Sequence, residues 1–101
     1  MRSLAYAASE AAALMVERAA ALFDRDEPCG KEANMAKLLA ADASWLAADT
    51  CLQTHGGYGF AEEYDIERKF RETRLYQVAP ISTNLILSHV ATHVLDLPKS
   101  F

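Results

Sequence analysis

KEANMAKLLAADASWLAADTCLQTHGGYGF, residues 31–60, decides how this chain folds. Leu38, Trp45 and Leu52 stand seven apart, and Met35, Leu39 and Leu46 widen that stripe into one apolar helix face. Asp42, Asp49 and Lys37 fall on other faces. The spacing predicts a helix from about Lys31 to His55. Three of the chain's four glycines, Gly56, Gly57 and Gly59, follow at once. Gly56 or Gly57 can supply the left-handed conformation that ends a helix.

Upstream, Leu4, Ala8, Ala11, Met15 and Leu22 recur at helical spacing over residues 3–24. Ser3 is a candidate N-cap, and alanine raises helix propensity. Glu10 and Glu17 interrupt the apolar face, so the N-terminal stretch reads as a helix rather than a targeting segment. Pro28 cannot continue that helix and Gly30 permits a turn, so the first two helices should lie antiparallel.

Downstream, a shorter third helix is expected over roughly 62–73, with Tyr64, Ile66, Phe70 and Leu75 as its apolar contacts. A last helix should cover about 81–95, with Leu85, Ile86, Val90 and Val94 facing in. Pro80 suits the first turn of that helix, where its missing N–H would be unpaired anyway. Ser82 or Thr83 could instead cap it one turn later. The tail is expected to be irregular after Pro98. The fold predicted is all-α: an antiparallel up-and-down bundle of about four helices, residues 1–101 forming a single domain.

Composition narrows the function. Ten Lys+Arg against fourteen Asp+Glu leave a net charge of −4 with mixed signs, which argues against broad contact with nucleic acid or an anionic membrane. No apolar run is long enough to span a bilayer. Cys29 and Cys51 form no CxxC pair, which fits a reducing, cytoplasmic setting, and both read as small core or turn residues. The alanine-rich stripes of helices one and two bury little area per residue. Such helices need further neighbours, so the chain is expected to be a piece of a larger protein or an oligomer.

Two other constellations read as ordinary surface. His89 and His93 stand at i,i+4, but no HExxH glutamate and no third ligand accompany them, so no metal site is assigned. Arg68, Lys69, Arg71 and Arg74 could form a patch for phosphate or CoA, but the interleaved Glu67 and Glu72 favour a solvated, ion-paired face; Glu67 and Arg71 are an i,i+4 pair. The glycine cluster admits two readings. It is a capped turn, or it is backbone open to a ligand or partner, a phosphate among the candidates. It is not a GxGxxG loop after a strand, and it lacks the lysine of a P-loop.

The order CGKEANMAK, then QTHGGYG, then EEYDIERKFRE, then LYQV ahead of the last helix resembles the C-terminal helical domain of acyl-CoA dehydrogenases across nearly the whole chain. The resemblance implies FAD as cofactor, acyl-CoA as substrate, an electron carrier as partner, and a homo-oligomer. It assigns Gln53, Thr54, His55, Gly56 and Gly57 to the adenosine-diphosphate end of an FAD held by a neighbouring subunit. It assigns Ser82, Thr83 and Asn84 to the Thr-Ser-Gln-type triplet that opens the last helix, Asn84 being one methylene shorter than the usual glutamine. One departure is chemical. Pro80 stands where many members carry the glutamate that removes the substrate's α-proton, and Ile81 stands at the following glycine. Proline cannot take a proton, so no catalytic residue is assigned in this chain, and none of Glu62, Glu63, Glu67 and Glu72 is nominated. The resemblance implies α,β-dehydrogenation by a full-length enzyme and no activity from residues 1–101 alone. Two other readings stay open: a non-catalytic helical interaction module, and a flavoprotein of the same fold with altered chemistry, such as a reductase.

Overall fold

The computed structural model describes residues 2–99. Two long helices, α1 (Arg2–Asp24) and α2 (Gly30–His55), are followed by 3₁₀ turns at Gly56–Phe60 and Glu62–Tyr64. Two short helices, α3 (Ile66–Thr73) and α4 (Leu75–Val78), lead to α5 (Thr83–His89), which widens into a π-type turn at Val90–Val94. Among the described residues there is no strand, so the expected all-α class holds.

α2 is the axis of the fold. Ala36, Ala43 and Thr50, seven apart, are buried. Thr50 shares a groove with Ala5 and Arg2 of α1, so this face meets α1, whose start lies beside the end of α2. The two helices are therefore antiparallel, as the turn between them predicts. Leu38, Trp45 and Leu52 form the second line, two residues further on. At about 100° per residue, that offset puts it on the opposite face. There Trp45 packs on Phe70 of α3, ring centroids 4.7 Å apart, and the Arg74 guanidinium lies 5.1 Å from the Trp45 ring centre. Further up α2, Gln77 donates to Asp42 at 3.1 Å, and Lys37 Nζ donates to the Tyr76 carbonyl. α3 and α4 thus climb α2 antiparallel, and α2 is covered on both faces.

The α1 side departs from the expected register. The covered residues of α1 are Ala5, Ala8, Ala12, Met15, Ala19 and Leu22. Their alternating spacing of three and four is that of a coiled-coil seam. Ala8, Met15 and Leu22 are as expected, but Leu4 and Ala11 lie one position round and are exposed. Small residues at the seam let the helices approach closely. The larger Leu4, Tyr6, Leu14, Val16 and Phe23 are left facing out.

The turn between α1 and α2 also differs from the glycine reading. Asp26, φ 56°, takes the left-handed position. Its N–H bonds to Phe23 O at 3.0 Å, and Glu27 N–H bonds to Leu22 O at 2.9 Å. These two bonds close a Schellman motif, with aspartate in the place usually held by glycine. Gly30 simply opens α2, and Ser3 lies inside α1 rather than capping it.

In the second half, the segment expected as one helix from 62 divides. Glu62–Tyr64 is a 3₁₀ turn, Asp65 sits at φ 57°, and α3 begins at Ile66. The last helix begins at Thr83 because Ser82 Oγ accepts the Leu85 N–H at 3.2 Å. The cap after Pro80 wins over a start at Pro80. Ile86 is 1% exposed and anchors α5, whereas Leu85, Tyr64 and Leu75, expected as inward contacts, are exposed.

The chain is open for its size. Its radius of gyration is 16.0 Å, against about 13 Å for a compact 100-residue domain. Its accessible surface is 7142 Å², against about 5,700 Å² for a folded monomer of this mass. Large apolar side chains supply much of that surface, from α1, from the 3₁₀ turns (Tyr58, Phe60) and from α5 (Leu85, Leu87).

Candidate functional site

The last turn of α2 prepares the glycine segment. Thr54 Oγ1 donates to the Thr50 carbonyl at 2.8 Å, and His55 Nδ1 lies 2.9 Å from the Cys51 carbonyl oxygen. That oxygen only accepts, so His55 Nδ1 is the donor of this contact. Both side chains are tied back to their own helix, while the exposed Gln53 side chain makes no such bond among the described residues. Cys51 is exposed, not core; its Sγ lies 3.9 Å from His55 Nδ1.

The three glycines do three different jobs. Gly56 stops the helix at φ 58°, ψ −134°, its N–H bonded to Gln53 O. The positive φ is as expected, but the ψ lies outside the left-handed helical basin, in a region that a side chain disfavours. A Cβ built on Gly57 would meet nothing within 4 Å. On Gly59 a Cβ would lie 2.7 Å from Leu52 Cδ1 and 2.9 Å from the Leu52 carbonyl oxygen. Gly59 is therefore the packing glycine, letting the turn close down on the end of α2. Gly57, like Gly56, leaves free space where a Cβ would stand, and unlike Gly56 it has no positive φ.

A shallow cleft of about 200 Å³ lies against this turn, lined by Asp49, Leu52, Gln53, Gly56 and Phe60. Asp49 and Phe60 were not singled out by the sequence. The available signal was the i,i+4 relation of Asp49 to Gln53, which places both on one face. The pairing has chemical meaning. A carboxylate beside an amide offers acceptors to hydroxyl or amino groups and repels a phosphate. Phe60, 74% exposed, offers an aromatic face beside them.

Ser82, Thr83 and Asn84 do not line that cleft. Ser82 is engaged as the cap of α5, Thr83 is half-buried and Asn84 is exposed. Within one chain the two groups of assigned residues do not share this cleft. The contacts of Tyr76 and Gln77 set the end of α4 beside Lys37 and Asp42. Gln53 lies eleven residues beyond Asp42, about 16 Å along the axis of α2. Pro80 is exposed and offers no proton acceptor. Glu67 and Glu72 are paired: Arg71 Nε donates to Glu67 at 2.8 Å, and Arg68 Nη1 donates to Glu72 at 2.8 Å. Hydrogen bonding and charge from these carboxylates raise both guanidinium pKa values further above the ordinary arginine range. The ion-paired face is as the sequence predicts, and Arg74 is drawn away from it onto Trp45.

The chain matches the family described as acyl-CoA dehydrogenase, C-terminal domain, over residues 3–95. It belongs to the acyl-CoA dehydrogenase family. The acyl-CoA dehydrogenase FadE12 of Mycobacterium tuberculosis is 42% identical over 94 residues, 91% of this chain and 24% of that protein. The short/branched chain specific acyl-CoA dehydrogenase of Rattus norvegicus mitochondria is 33% identical over 85 residues, 84% of this chain and 20% of the relative. The caffeyl-CoA reductase–Etf complex subunit CarC of Acetobacterium woodii is 41% identical over 69 residues, 68% of this chain and 18% of the relative. The chain thus spans a quarter or less of the length of these relatives. Among the described residues no helix is long and apolar enough to cross a membrane.

Proposed function

We propose that residues 1–101 act as the C-terminal helical domain of a cytoplasmic, FAD-dependent acyl-CoA dehydrogenase, contributing cofactor and subunit contacts rather than the proton-abstracting base. The observation that carries this reading is the glycine turn: Gly56 lines a cleft with Gln53, a Cβ on Gly56 or Gly57 would meet nothing within 4 Å, and Gly59 is the glycine that packs on Leu52. A turn needed only to reverse the chain does not require Gly57. The residues present fit a dinucleotide's nucleoside end. Gln53 offers a donor and an acceptor, Asp49 accepts from ribose hydroxyls or an adenine amino group, and Phe60 supplies an apolar wall. Gly56 and Gly57 hold the backbone clear, while Thr54 and His55 line a separate groove against α1 with Arg2 and Ala5. Ser82, Thr83 and Asn84 would present the start of α5 to another part of the cofactor, and their lying outside the cleft supports the view that a given FAD takes the two groups from different subunits. Bound flavin would accept a hydride in the α,β-dehydrogenation of an acyl-CoA thioester.

The uncovered apolar side chains of α1 and α5 support burial against other domains or subunits of a homo-oligomer. Pro80 means that a base, where one operates, comes from outside this chain. An electron carrier is the expected partner of the full-length protein, a view that the name of the CarC relative favours. That same name favours one second reading, a same-fold enzyme run as a reductase, which substrate profiling separates from the first.

The test is Gly57→Leu in the full-length protein, reading flavin absorbance per protomer together with circular dichroism. A folded variant depleted of flavin is expected. Full flavin content in a folded variant would refute the assignment of this turn.

A further inference from the structure

We propose that His89 and His93 form a two-imidazole chelate for a divalent transition-metal ion, with zinc, nickel and copper the fitting class. Spacing alone made them ordinary surface residues; the local geometry adds three facts. Their rings stack with centroids 4.5 Å apart and planes 22° from parallel. The turn after His89 is π-type, closed by Leu95 N–H to Val90 O at 3.0 Å. A turn closed five residues on is wider than an α-turn, so positions i and i+4 fall closer to eclipsed. Finally, His93 Nδ1 lies 3.3 Å from the His89 carbonyl oxygen. The oxygen only accepts, so the neutral imidazole that makes this contact carries its proton on Nδ1 and offers Nε2 to a metal.

Access and geometry agree. His93 is exposed and His89 half-buried. Metal–nitrogen bonds of about 2.0–2.1 Å put two nitrogens on one tetrahedral ion roughly 3.4 Å apart. From a centroid separation of 4.5 Å, a metal would have to draw the two Nε2 edges together to reach that distance. Among the described residues no third histidine, cysteine or carboxylate joins them. Water therefore completes the coordination sphere, which makes this an exchanging site rather than a permanent one. A bound ion would clamp the end of α5 across its wide turn.

The experiment titrates nickel(II) chloride into the full-length protein by calorimetry, with histidine Cε1–H signals followed by NMR. One saturable site per chain is expected, with the His89 and His93 signals perturbed and that of His55 unmoved. His89→Gln and His93→Gln, each checked for fold by circular dichroism, should each weaken binding at least about tenfold, as should lowering the pH to about 5, where protons compete for the imidazoles. Absence of a saturable site would overturn the proposal. So would affinity kept within about threefold in either folded variant, or a site abolished by His55→Gln instead. Should one glutamine variant misfold, the other variant and the wild-type NMR signals still decide.

Discussion

Replacing each open-turn glycine by alanine separates packing from binding, and Gly59→Ala is the sharpest case. A Cβ at this position would lie 2.7 Å from Leu52 Cδ1 and 2.9 Å from the Leu52 carbonyl oxygen. The side-chain atom can swing aside, but the carbonyl belongs to the last turns of α2 and cannot move without disturbing the helix. Overpacking against an immovable neighbour costs about 1–3 kcal/mol. In a domain of about 100 residues each kilocalorie lowers the melting midpoint by roughly 4–8 °C. Gly57→Ala is the internal control, because its Cβ meets nothing within 4 Å and its φ is not positive. That change should leave stability unaltered or raise it by about 0.4–1 kcal/mol, by restricting the unfolded chain. The assay is urea denaturation followed by far-ultraviolet circular dichroism, comparing midpoints at equal slope. Equal stabilities for the two variants, or a Gly57→Ala loss matching that of Gly59→Ala, would show that the division of labour among the glycines is wrong.

Other outcomes are expected on the same footing. Ser82→Ala should cost about 0.5–2 kcal/mol through loss of the α5 cap and should raise amide exchange at the start of that helix first. A double-mutant cycle between Trp45 and Phe70, read by denaturation, should give a coupling of about 0.5–1.5 kcal/mol, and a value near zero would mean that the rings do not interact in solution. Thr50 Oγ1 is buried without a hydrogen-bond partner among the described residues. Thr50→Val is therefore predicted to stabilise by about 1 kcal/mol, and a measured loss would reveal a partner supplied by the assembled protein. The raised pKa values of Arg68 and Arg71 give pair stabilisation that is complete below the unfolded arginine pKa and lost only as pH rises through the folded value. The difference in melting midpoint between wild type and Arg71→Gln should thus stay constant from about pH 6 to pH 10 and shrink in high salt.

The spans of α1 and α2 were legible because periodicity, alanine propensity and the Pro28 and Gly56 breaks are local signals. The Glu67–Arg71 pair was legible for the same reason, its partners being one helical turn apart. The choice of α1's buried face was not. Leu4 and Ala11 compete with Ala5 and Ala12 one position away, all four are apolar, and only contact with α2 selects between the two stripes. The site divides in the same way. The family resemblance pointed to Gln53 through Gly57, but sequence could not tell which glycine packs, nor that Asp49 and Phe60 share a cleft with Gln53 and Gly56. Along the chain alone, the sequence determined where α1 and α2 begin and end, since capping, periodicity and backbone freedom act over a turn or two. The tertiary structure decided which apolar stripe is inside and which glycine is indispensable, because those depend on steric contact between residues the chain brings together only when folded.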